Sequence, residues 1–527
     1  RVMVANRGEI AVRIIRACRE LGIETVAVCS SIDAETPHTR AATQSVTIGP
    51  PHPRDSYLSI GAVIDAARTT GADAVHPGYG FLSESPEMAA ACVDAGLIWV
   101  GPPADVIGRL GSKIEARRLM QAAGVPVVAG ETPADQTDVG LTEAARRLGY
   151  PLLVKASAGA GGRGMRVVRE PDRLHEALGE ARREAEGAFG DGTLYVERLL
   201  TRPRHIEVQI VADHHGHVVH LFERECSIQR RHQKVIEESP APHLTAGVRQ
   251  RLTTAAVRAA QAAGYRNAGT VEFLVEGTGD SDDDAAATIA FLEMNTRLQV
   301  EHPVTEAVTG RDLVHAQLAV AAGATLPWSQ DQISVRGHAI ECRVYAEHPA
   351  DHFLPDSGML LRYQEPVGPG IRVDTGVVTG SLVSSHYDAL LAKVITHADT
   401  RVAALARARA ARQADLDTLF VGDHHVTPSP YFQNVPMLGR MLAEWGDKPA
   451  GALFLLPLWN PVLLAEQIGT LASIAQGPFI MQCGLGDDRQ GVSMGNEPKQ
   501  RAPMFEAALE VMRTLWRGEE ATEDRFW

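Results

Sequence analysis

Residues 291–306 read Phe-Leu-Glu-Met-Asn-Thr-Arg-Leu-Gln-Val-Glu-His-Pro-Val-Thr-Glu, and this segment decides how the chain is interpreted. Side chains of a β-strand alternate between its two faces, so every second residue shares a face. On this period one face carries the polar residues Glu293, Asn295, Arg297, Gln299 and Glu301. Five polar groups between apolar flanks are unusual for a core strand or a plain solvent-facing strand. The pattern predicts a strand with a functional polar face.

A metal site is the first candidate for that face. An earlier apolar run, Thr270–Val275, predicts a second strand that presents Glu272. Two carboxylates and an amide oxygen, from Glu272, Glu293 and Asn295, suit octahedral Mg²⁺ or Mn²⁺. The alternative is an edge strand with a ladder of ion pairs around Arg297, and these residues alone leave both interpretations open.

A glycine-rich loop supplies the second candidate site. Leu152–Lys155 reads as a strand, and residues 156–165 follow it as Ala-Ser-Ala-Gly-Ala-Gly-Gly-Arg-Gly-Met. Such a loop can wrap phosphate oxygens with its backbone N–H groups, and Lys155 adds positive charge. It is not a Walker A motif, because no Gly-Lys-Ser/Thr ends it. Lys113 stands at a further expected helix start. Together with the metal candidates, the loop favours a metal–nucleotide site.

The segment Glu223–Lys234 between these sites is rich in basic residues. It is short, interleaved with acids and without aromatic stacking residues, so a pocket for a small anion fits better than a nucleic-acid surface. His205 and His232 could be ligands, but they lack metal-ligand spacing to one another.

Length and composition exclude several classes of protein. The chain has 527 residues and a net charge of −14, which argues against general binding of polyanions such as nucleic acid. No run approaches the roughly 20 apolar residues of a membrane helix, and no secretory signal opens the chain. The six cysteines are scattered without a CxxC pair, which favours reduced thiols and a cytoplasmic location. The start at Arg1, inside an apolar run, suggests that a few residues precede it.

The first 110 residues alternate strand and helix patterns. Val2–Ala5, a helix over Arg7–Gly22 and a strand over Thr25–Cys29 begin a βαβ pattern with a parallel sheet. The first turn, Asn6–Glu9, is not a dinucleotide-binding fingerprint. Residues 330–400 have the pattern of strands and turns. The residue pattern changes near 400–410, where we predict a domain boundary.

Several motifs together resemble biotin carboxylase, the ATP-grasp component of acyl-CoA and pyruvate carboxylases. The similarity covers about residues 1–400, and the segments that carry it are Ala5–Ile10, His76–Glu84, Lys155–Ser157, Gly161–Arg166, Arg230–Lys234, Glu293–Glu306 and Glu341–Arg343. Other ATP-grasp ligases lack the combination of Arg230–Lys234 with Arg297–Glu301.

The resemblance implies an α/β and α+β fold in consecutive domains. They are a Rossmann-like N-terminal domain (1–110), an ATP-grasp domain (111–325) with a lid at about 131–203, and an incomplete biotin carboxylase C-terminal domain (326–405). Residues 406–527 remain as a further segment.

The resemblance also implies a function and its participants. The reaction would be ATP- and bicarbonate-dependent carboxylation of biotin through carboxyphosphate, the first half-reaction of an acyl-CoA carboxylase, as in fatty acid biosynthesis. Biotin would be held on a separate carrier protein, the carboxyltransferase would act in trans, and the chain would form a homodimer. No nucleic acid or membrane partner is expected.

Individual roles follow from the same resemblance. ATP would be held by Lys113, Lys155, Gly161, Gly162, Glu197, Arg198, Leu199, Leu200, His205, Gln229, His232, Glu272 and Glu293. The metal ligands would be Glu272, Glu293 and Asn295. Bicarbonate would be held by Lys234, Arg297, Gln299 and Val300. Glu301 would deprotonate bicarbonate, and Arg343 would stabilise the biotin enolate.

The sequence departs from the family pattern at three places. Ala158 and Ala160 replace two glycines of the loop, which would disturb nucleotide contact if either position needs a positive φ. The family's C-terminal domain continues for about fifty residues after Lys393, whereas the similarity here stops near residue 410. No Met-Lys-Met tripeptide for biotin attachment occurs, so the carrier is expected elsewhere.

Residues 410–527 resemble part of a bacterial luciferase-like monooxygenase, a (β/α) barrel that uses flavin or deazaflavin. The matching segments are Asp417–His424, Leu456–Gln467, Gly484–Gly486 and Glu506–Trp516. They cover about three strand–helix units, too few to close an eight-stranded barrel. Two alternatives to the carboxylase therefore stay open: a flavin- or deazaflavin-dependent oxidoreductase, and an inactive fusion remnant that binds nucleotide.

Overall fold

The computed structural model describes residues 1–157, 165–231, 233–277, 287–349, 352–415, 419–421, 438–439, 442, 449–486, 492, 497–523 and 525–526. The chain divides into two compact units, one of residues 1–348 and 353–409, and one of residues 349–352 and 410–527. None of the helices in the described ranges is both long and apolar enough to cross a bilayer.

The first unit begins with a parallel sheet of five strands in the order β3-β2-β1-β4-β5. Its strands are β1 (Val2–Val4), β2 (Thr25–Ser30), β3 (Gln44–Gly49), β4 (Ala74–His76) and β5 (Ile98–Trp99). The helices of this part are α1 (Gly8–Glu20), α2 (Pro37–Ala41), α3 (Ile60–Thr70), α4 (Pro86–Asp94) and α5 (Ala104–Gly111). Apolar residues of β1 and α1 form a buried cluster. The predicted Rossmann-like βαβ pattern is confirmed.

A smaller antiparallel sheet follows, inside the range predicted for the lid. Its strand order is β6-β9-β7-β8. The elements are α6 (Lys113–Ala122), β6 (Gly130–Glu131), α7 (Asp138–Leu148), β7 (Leu152–Ala156), β8 (Met165–Val168), α8 (Leu174–Phe189) and β9 (Leu194–Arg198). A separate apolar cluster packs helices α7 and α8 against this sheet, with Leu141, Leu178 and Val196 fully buried. Gly161 and Gly162 of the predicted loop, with Ala158 and Ala160, lie outside the described residues.

The largest sheet is antiparallel and has eight strands, in the order β14-β13-β10-β11-β12-β15-β21-β19. Its strands are β10 (Arg204–Ala212), β11 (Val218–Arg230), β12 (Gln233–Ser239), β13 (Asn267–Glu276), β14 (Thr288–Asn295), β15 (His338–Tyr345), β19 (Ile371–Thr375) and β21 (Leu390–Ala398). The sheet joins strands from both sides of the predicted domain boundary at 325/326. The predicted ATP-grasp and C-terminal domains therefore share one continuous sheet.

Short ladders and helices complete the first unit. The ladders are β16 (Glu347–His348) with β17 (Leu354–Pro355), and β18 (Gly358–Met359) with β20 (Leu382–Val383). The helices are α9 (Ala246–Ala263), α10 (His302–Thr309), α11 (Leu313–Ala321) and the beginning of α12 (Arg401–Asp415). The start of α12 is tied to the sheet by Arg401, whose Nε donates to Glu238 at 2.6 Å.

The strand predicted over residues 291–306 is only partly correct. Strand β14 ends at Asn295, and α10 begins at His302 with Glu301 as its N-cap residue. Pro303 lies in the first turn of α10, where a missing backbone N–H costs nothing, whereas within a strand it would remove a ladder bond. Arg297 and Gln299 therefore lie in an irregular connection between the strand and the helix.

Within its described residues, the second unit contains a parallel sheet of three strands. The strands are β22 (Leu419–Val421), β23 (Ala450–Leu455) and β24 (Phe479–Gly484), and the helices are α13 (Pro461–Ile474) and α14 (Arg501–Trp516). Leu464 and Met512 lie in its apolar core with Phe454. Parallel strands alternating with helices agree with the predicted (β/α) segment.

One glycine marks a close contact within the first unit. A Cβ added to Gly376, just after β19, would stand 2.5 Å from the backbone N of Glu9 in α1. Backbone atoms cannot move aside cheaply, so Gly376→Ala is expected to destabilise the first unit by about 1–3 kcal/mol. The measurement is the thermal unfolding midpoint. Gly61→Ala in α3, where a new Cβ meets nothing within 4 Å, is the control and should leave the midpoint unchanged or raised. Equal midpoints for the two variants would contradict the contact.

Candidate active site

A single ammonium group collects three carboxylates at the centre of the eight-stranded sheet. Lys234 of β12 has its Nζ 2.5 Å from Glu207, 2.8 Å from Glu272 and 2.7 Å from Glu301. Burial lowers the pKa of Lys234, but the three carboxylates outweigh burial and hold that pKa well above its ordinary value. Lys234 is therefore a fixed positive charge.

The carboxylate of Glu301 is fully buried and ionised. Burial raises its pKa, but Lys234 and Arg343 outweigh burial and hold the pKa well below its ordinary value. Lys234 contacts Oε1, and Nη2 of Arg343 donates to Oε2 at 3.0 Å. Both oxygens of Glu301 therefore face cations. When those cations bind another anion, the carboxylate becomes able to accept a proton.

Arg343 is held in place from the other side by Glu237. Its Nε donates to Glu237 at 2.7 Å, and Glu237 lies on β12 directly opposite Glu341 of β15. Burial raises the pKa of Glu237 to about 7, against the lowering effect of Arg343. The negative charge of Glu301 adds to this rise in the pKa of Glu237.

Arg297 organises the connection between β14 and α10. Its Nη1 donates to Gln299 at 2.9 Å, and its Nη2 donates to Asn295 at 3.1 Å. Its Nε lies 3.0 Å from Glu84 of the N-terminal part. The side chain therefore links the irregular connection to the parallel-sheet domain, with its guanidinium on the site.

The predicted metal ligands come together. Glu272 of β13 and Glu293 of β14 are register partners, and the amide of Asn295 donates to Glu272 at 2.9 Å. Burial raises the pKa of Glu293, and the charge of Glu272 raises it further. The buried carboxylate of Glu272 and the half-buried carboxylate of Glu293, together with an amide oxygen, form a donor set that fits a hard divalent cation, whose charge would relieve their repulsion.

The predicted nucleotide residues divide into three groups. Those that line a cleft of about 550 Å³ with the bicarbonate and metal candidates are Lys113, Lys155, His205, Gln229, Glu272 and Glu293. Burial lowers the pKa of Lys113, against the raising effect of Glu293. The second group is the buried Glu197, which lies beside the cleft with a carboxylate oxygen 2.7 Å from Nζ of Lys155. The third group does not line the cleft and consists of Arg198, Leu199 and Leu200 at the end of β9. His232, like Gly161 and Gly162, is not among the described residues.

Three carboxylates of the site were missed by the sequence interpretation. Glu207 binds both Lys234 and Arg224, Glu237 binds Arg343, and Glu84 binds Arg297. A period-two pattern does pass through Glu207, because His205, Glu207 and Gln209 alternate with apolar residues. Glu237 gives no comparable local signal, since it acquires Arg343 only through strand pairing. Glu84 ends one of the segments that carry the resemblance, but its pairing with Arg297 depends on a contact between domains.

The small and the large antiparallel sheet line this cleft of lysines and acids, and the parallel-sheet domain contacts it through Glu84 and Arg297. This combination is typical of an ATP-grasp enzyme. Three family models match in succession: biotin carboxylase N-terminal domain over residues 1–107, carbamoyl-phosphate synthase L chain ATP-binding domain over 112–329, and biotin carboxylase C-terminal domain over 341–433. The last match extends 28 residues beyond the end predicted for that domain.

Curated relatives named biotin carboxylase match this chain over most of its length. The biotin carboxylase of Halalkalibacterium halodurans is 48% identical over 84% of this chain and 93% of the relative. That of Haemophilus influenzae is 49% identical over 77% of this chain and 89% of the relative. The chain belongs to the biotin carboxylase family. It spans 55% of the length of the methylcrotonoyl-CoA carboxylase subunit alpha of Glycine max, to which it is 51% identical over 77% of its own length.

Solved structures agree with the fold. The Campylobacter jejuni biotin carboxylase complex with β-γ-ATP superposes with a TM-score of 0.74 at 42% identity, over 78% of this chain and 90% of that chain. The biotin carboxylase domain dimer of the Hydrogenobacter thermophilus 2-oxoglutarate carboxylase, with MgADP, ADP and bicarbonate, gives 0.73 at 43% identity, over 78% and 88%.

Proposed function

We propose that the chain carboxylates biotin on a separate carrier protein, with ATP and bicarbonate as co-substrates and ADP and phosphate as products. The observation that carries the proposal is the contact of the buried Glu301 with two cations that line the cleft, Lys234 at 2.7 Å and Arg343 at 3.0 Å. An anionic nucleophile, a base and a place for a developing enolate are what the two steps of this reaction need.

The first step is the attack of bicarbonate on the γ-phosphorus of ATP. Lys234 and Arg297 hold the bicarbonate anion, with the side chain of Gln299 and the backbone of Val300 beside them. Glu301 takes the bicarbonate proton as the new oxygen–phosphorus bond forms and the bond to the ADP oxygen breaks. In the ligand-free arrangement Lys234 neutralises Glu301; when Lys234 turns to bicarbonate, the proton affinity of Glu301 rises.

The second step transfers the carboxyl group to biotin. Carboxyphosphate breaks down to CO₂ and phosphate, the phosphate takes the proton of the biotin ureido nitrogen, and that nitrogen then forms the carbon–nitrogen bond to CO₂. Arg343 stabilises the negative charge on the ureido oxygen, and the fixed orientation given by Glu237 means that little reorganisation is needed. The buried surroundings of Glu301 exclude water that would hydrolyse the intermediates.

The metal candidates serve the phosphates in this proposal. Glu272, Glu293 and Asn295 would hold Mg²⁺ or Mn²⁺, which supplies charge neutralisation for the transferred phosphoryl group. Lys113 and Lys155 line the same cleft and would contact phosphate oxygens. Glu197 orients Lys155 from behind, and Arg117 holds the second oxygen of Glu197 at 2.9 Å.

The carboxyl acceptor is proposed to be an acyl-CoA, with acetyl-CoA in fatty acid biosynthesis as one case. Carrier and carboxyltransferase are supplied in trans to a cytoplasmic homodimer.

The experiment that tests the function follows ADP release by the purified chain. Turnover is expected to require bicarbonate and divalent metal, and to rise when free biotin is added. ADP release that is independent of both bicarbonate and biotin would point to a different ATP-grasp ligase. Thermal stabilisation by Mg-ATP without any turnover would indicate a remnant that only binds nucleotide.

The second unit is proposed to be part of a luciferase-like (β/α) fold rather than a second enzyme. The observation behind this is its parallel sheet, which has three strands within the described residues, β22 to β24. The sequence pattern predicts Asp423 and His424 at a strand end, where a barrel would carry its site; both residues lie outside the described residues. We expect no quenching of flavin or deazaflavin fluorescence on titration with the chain. A stoichiometric quench would favour the oxidoreductase alternative.

A further inference from the structure

We infer that Lys393 is a positioning residue for the bicarbonate site, and this inference rests on the proposed function. Lys393 lies on β21, far along the chain from the site, and its side chain is fully buried. Its Nζ donates to the backbone carbonyl of Val300 at 2.8 Å. Val300 stands between Gln299 and Glu301, so this bond acts on the backbone that carries both of these side chains.

The backbone at Val300 needs such support. Strand β14 ends at Asn295 and α10 begins at His302, so residues 296–301 lie between these elements and outside their regular hydrogen-bond ladders. The position of this connection depends on side chains, because His302 Nδ1 meets the Gln299 carbonyl at 2.7 Å and Lys393 meets the Val300 carbonyl. A shift of about 1 Å in a reacting group is enough to cost a large part of a rate.

The charge of Lys393 is balanced by a different part of the molecule. Its Nζ lies 3.1 Å from Glu9 at the start of α1, and Asp374 of β19 is 3.9 Å away. Glu9 also accepts a hydrogen bond from the hydroxyl of Tyr79. Burial lowers the pKa of Lys393, and Glu9, Glu341 and Asp374 outweigh burial, so the group keeps its proton.

One buried ammonium therefore joins three segments: α1, β21 and the connection that carries Glu301. Burying an isolated charge is costly, and an apolar side chain would fill this space more cheaply if packing alone were needed. The ion pair with Glu9 neutralises Lys393, whereas the bond to Val300 fixes the site. These two roles predict different outcomes when Lys393 and Glu9 are changed separately and together.

The test compares Lys393→Met, Glu9→Gln and the double variant by steady-state kinetics and thermal unfolding. Lys393→Met is expected to lower kcat for bicarbonate-dependent ATP turnover about tenfold or more and to raise KM for bicarbonate, with KM for ATP little changed. Glu9→Gln keeps the bond to Val300 and should keep the wild-type KM for bicarbonate. The double variant removes both charges and should recover unfolding temperature but not activity.

Lys393→Arg covers the case in which Lys393→Met does not fold. An arginine retains the cation for Glu9 but carries a longer, planar group that cannot place one donor at the same point. We expect a folded protein with a raised KM for bicarbonate. A wild-type bicarbonate KM and kcat in Lys393→Met or Lys393→Arg, or recovery of activity in the double variant, would overturn the inference. Absence of bicarbonate-dependent turnover in the wild-type chain would instead refute the proposed function.

Discussion

Glu301→Gln is expected to reduce bicarbonate-dependent ATP turnover by about 10²–10⁴-fold, the usual contribution of a general base. The amide has nearly the shape of the carboxylate but cannot take the bicarbonate proton. The change also removes the negative charge that Lys234 and Arg343 share at 2.7 and 3.0 Å. Turnover of ATP with and without bicarbonate and biotin is the measurement, and Mg-ATP binding should persist because the nucleotide residues are untouched.

The matched control for Glu301→Gln is Glu223→Gln. Glu223 is another fully buried glutamate, paired with Nε of Arg249 at 2.8 Å. Its partners Arg249 and Ala241 do not line the cleft, whereas Lys234 and Arg343, the partners of Glu301, do. Both variants lose one buried carboxylate that faces an arginine. If Glu223→Gln were as inactive as Glu301→Gln, general destabilisation rather than loss of the base would explain the result.

Arg343→Met is expected to separate the two steps. The biotin-dependent increase in turnover should fall by about 10²–10³-fold, the cost of removing one donor to a developing oxyanion. Bicarbonate-dependent ATP turnover without biotin should survive, because Lys234 and Arg297 remain. Methionine fills the space of the arginine stem without its charge. Carboxybiotin formation and ADP release, measured together, check the separation.

The same variant carries a pH prediction. Arg343 is one of the cations that hold the pKa of Glu301 below its ordinary value, so its removal raises that pKa. Glu301 works as a base only when ionised, and in the variant it takes up its proton at a higher pH. The remaining turnover should therefore fall on acidification at a higher pH than in the wild type.

Arg249→Met serves as the control for Arg343→Met, since it removes an arginine from a buried glutamate outside the cleft. It should leave both the biotin response and the acid limb of the pH profile unchanged. An acid limb that does not move in Arg343→Met would mean that Arg343 does not set the ionisation of Glu301. Equal loss of turnover with and without biotin would assign Arg343 to the first step as well.

The segment at 291–306 shows how far a local pattern can lead. Its period-two pattern predicts one strand, and four of its polar residues line the cleft, Glu293 and Asn295 from β14. Arg297 and Gln299 arrive from the irregular connection, and Glu301 from the N-cap position of α10. The alternation of polar and apolar residues identified the right side chains. The reason is that an irregular connection can direct every second side chain into the cleft that the preceding strand faces.

Local pattern alone was enough to predict the βαβ start of the chain, the paired carboxylates and the motifs that indicate the family. These are local features, set by side-chain period, turn residues and short spacings. The tertiary structure decided which charges share a site. Lys234 meets Glu207, Glu272 and Glu301 only because β12, β10, β13 and the start of α10 converge. Lys393 reaches Val300 across 93 residues of chain for the same reason. Ion pairs between distant segments depend on strand order and register, and neither is written in any one stretch of the sequence.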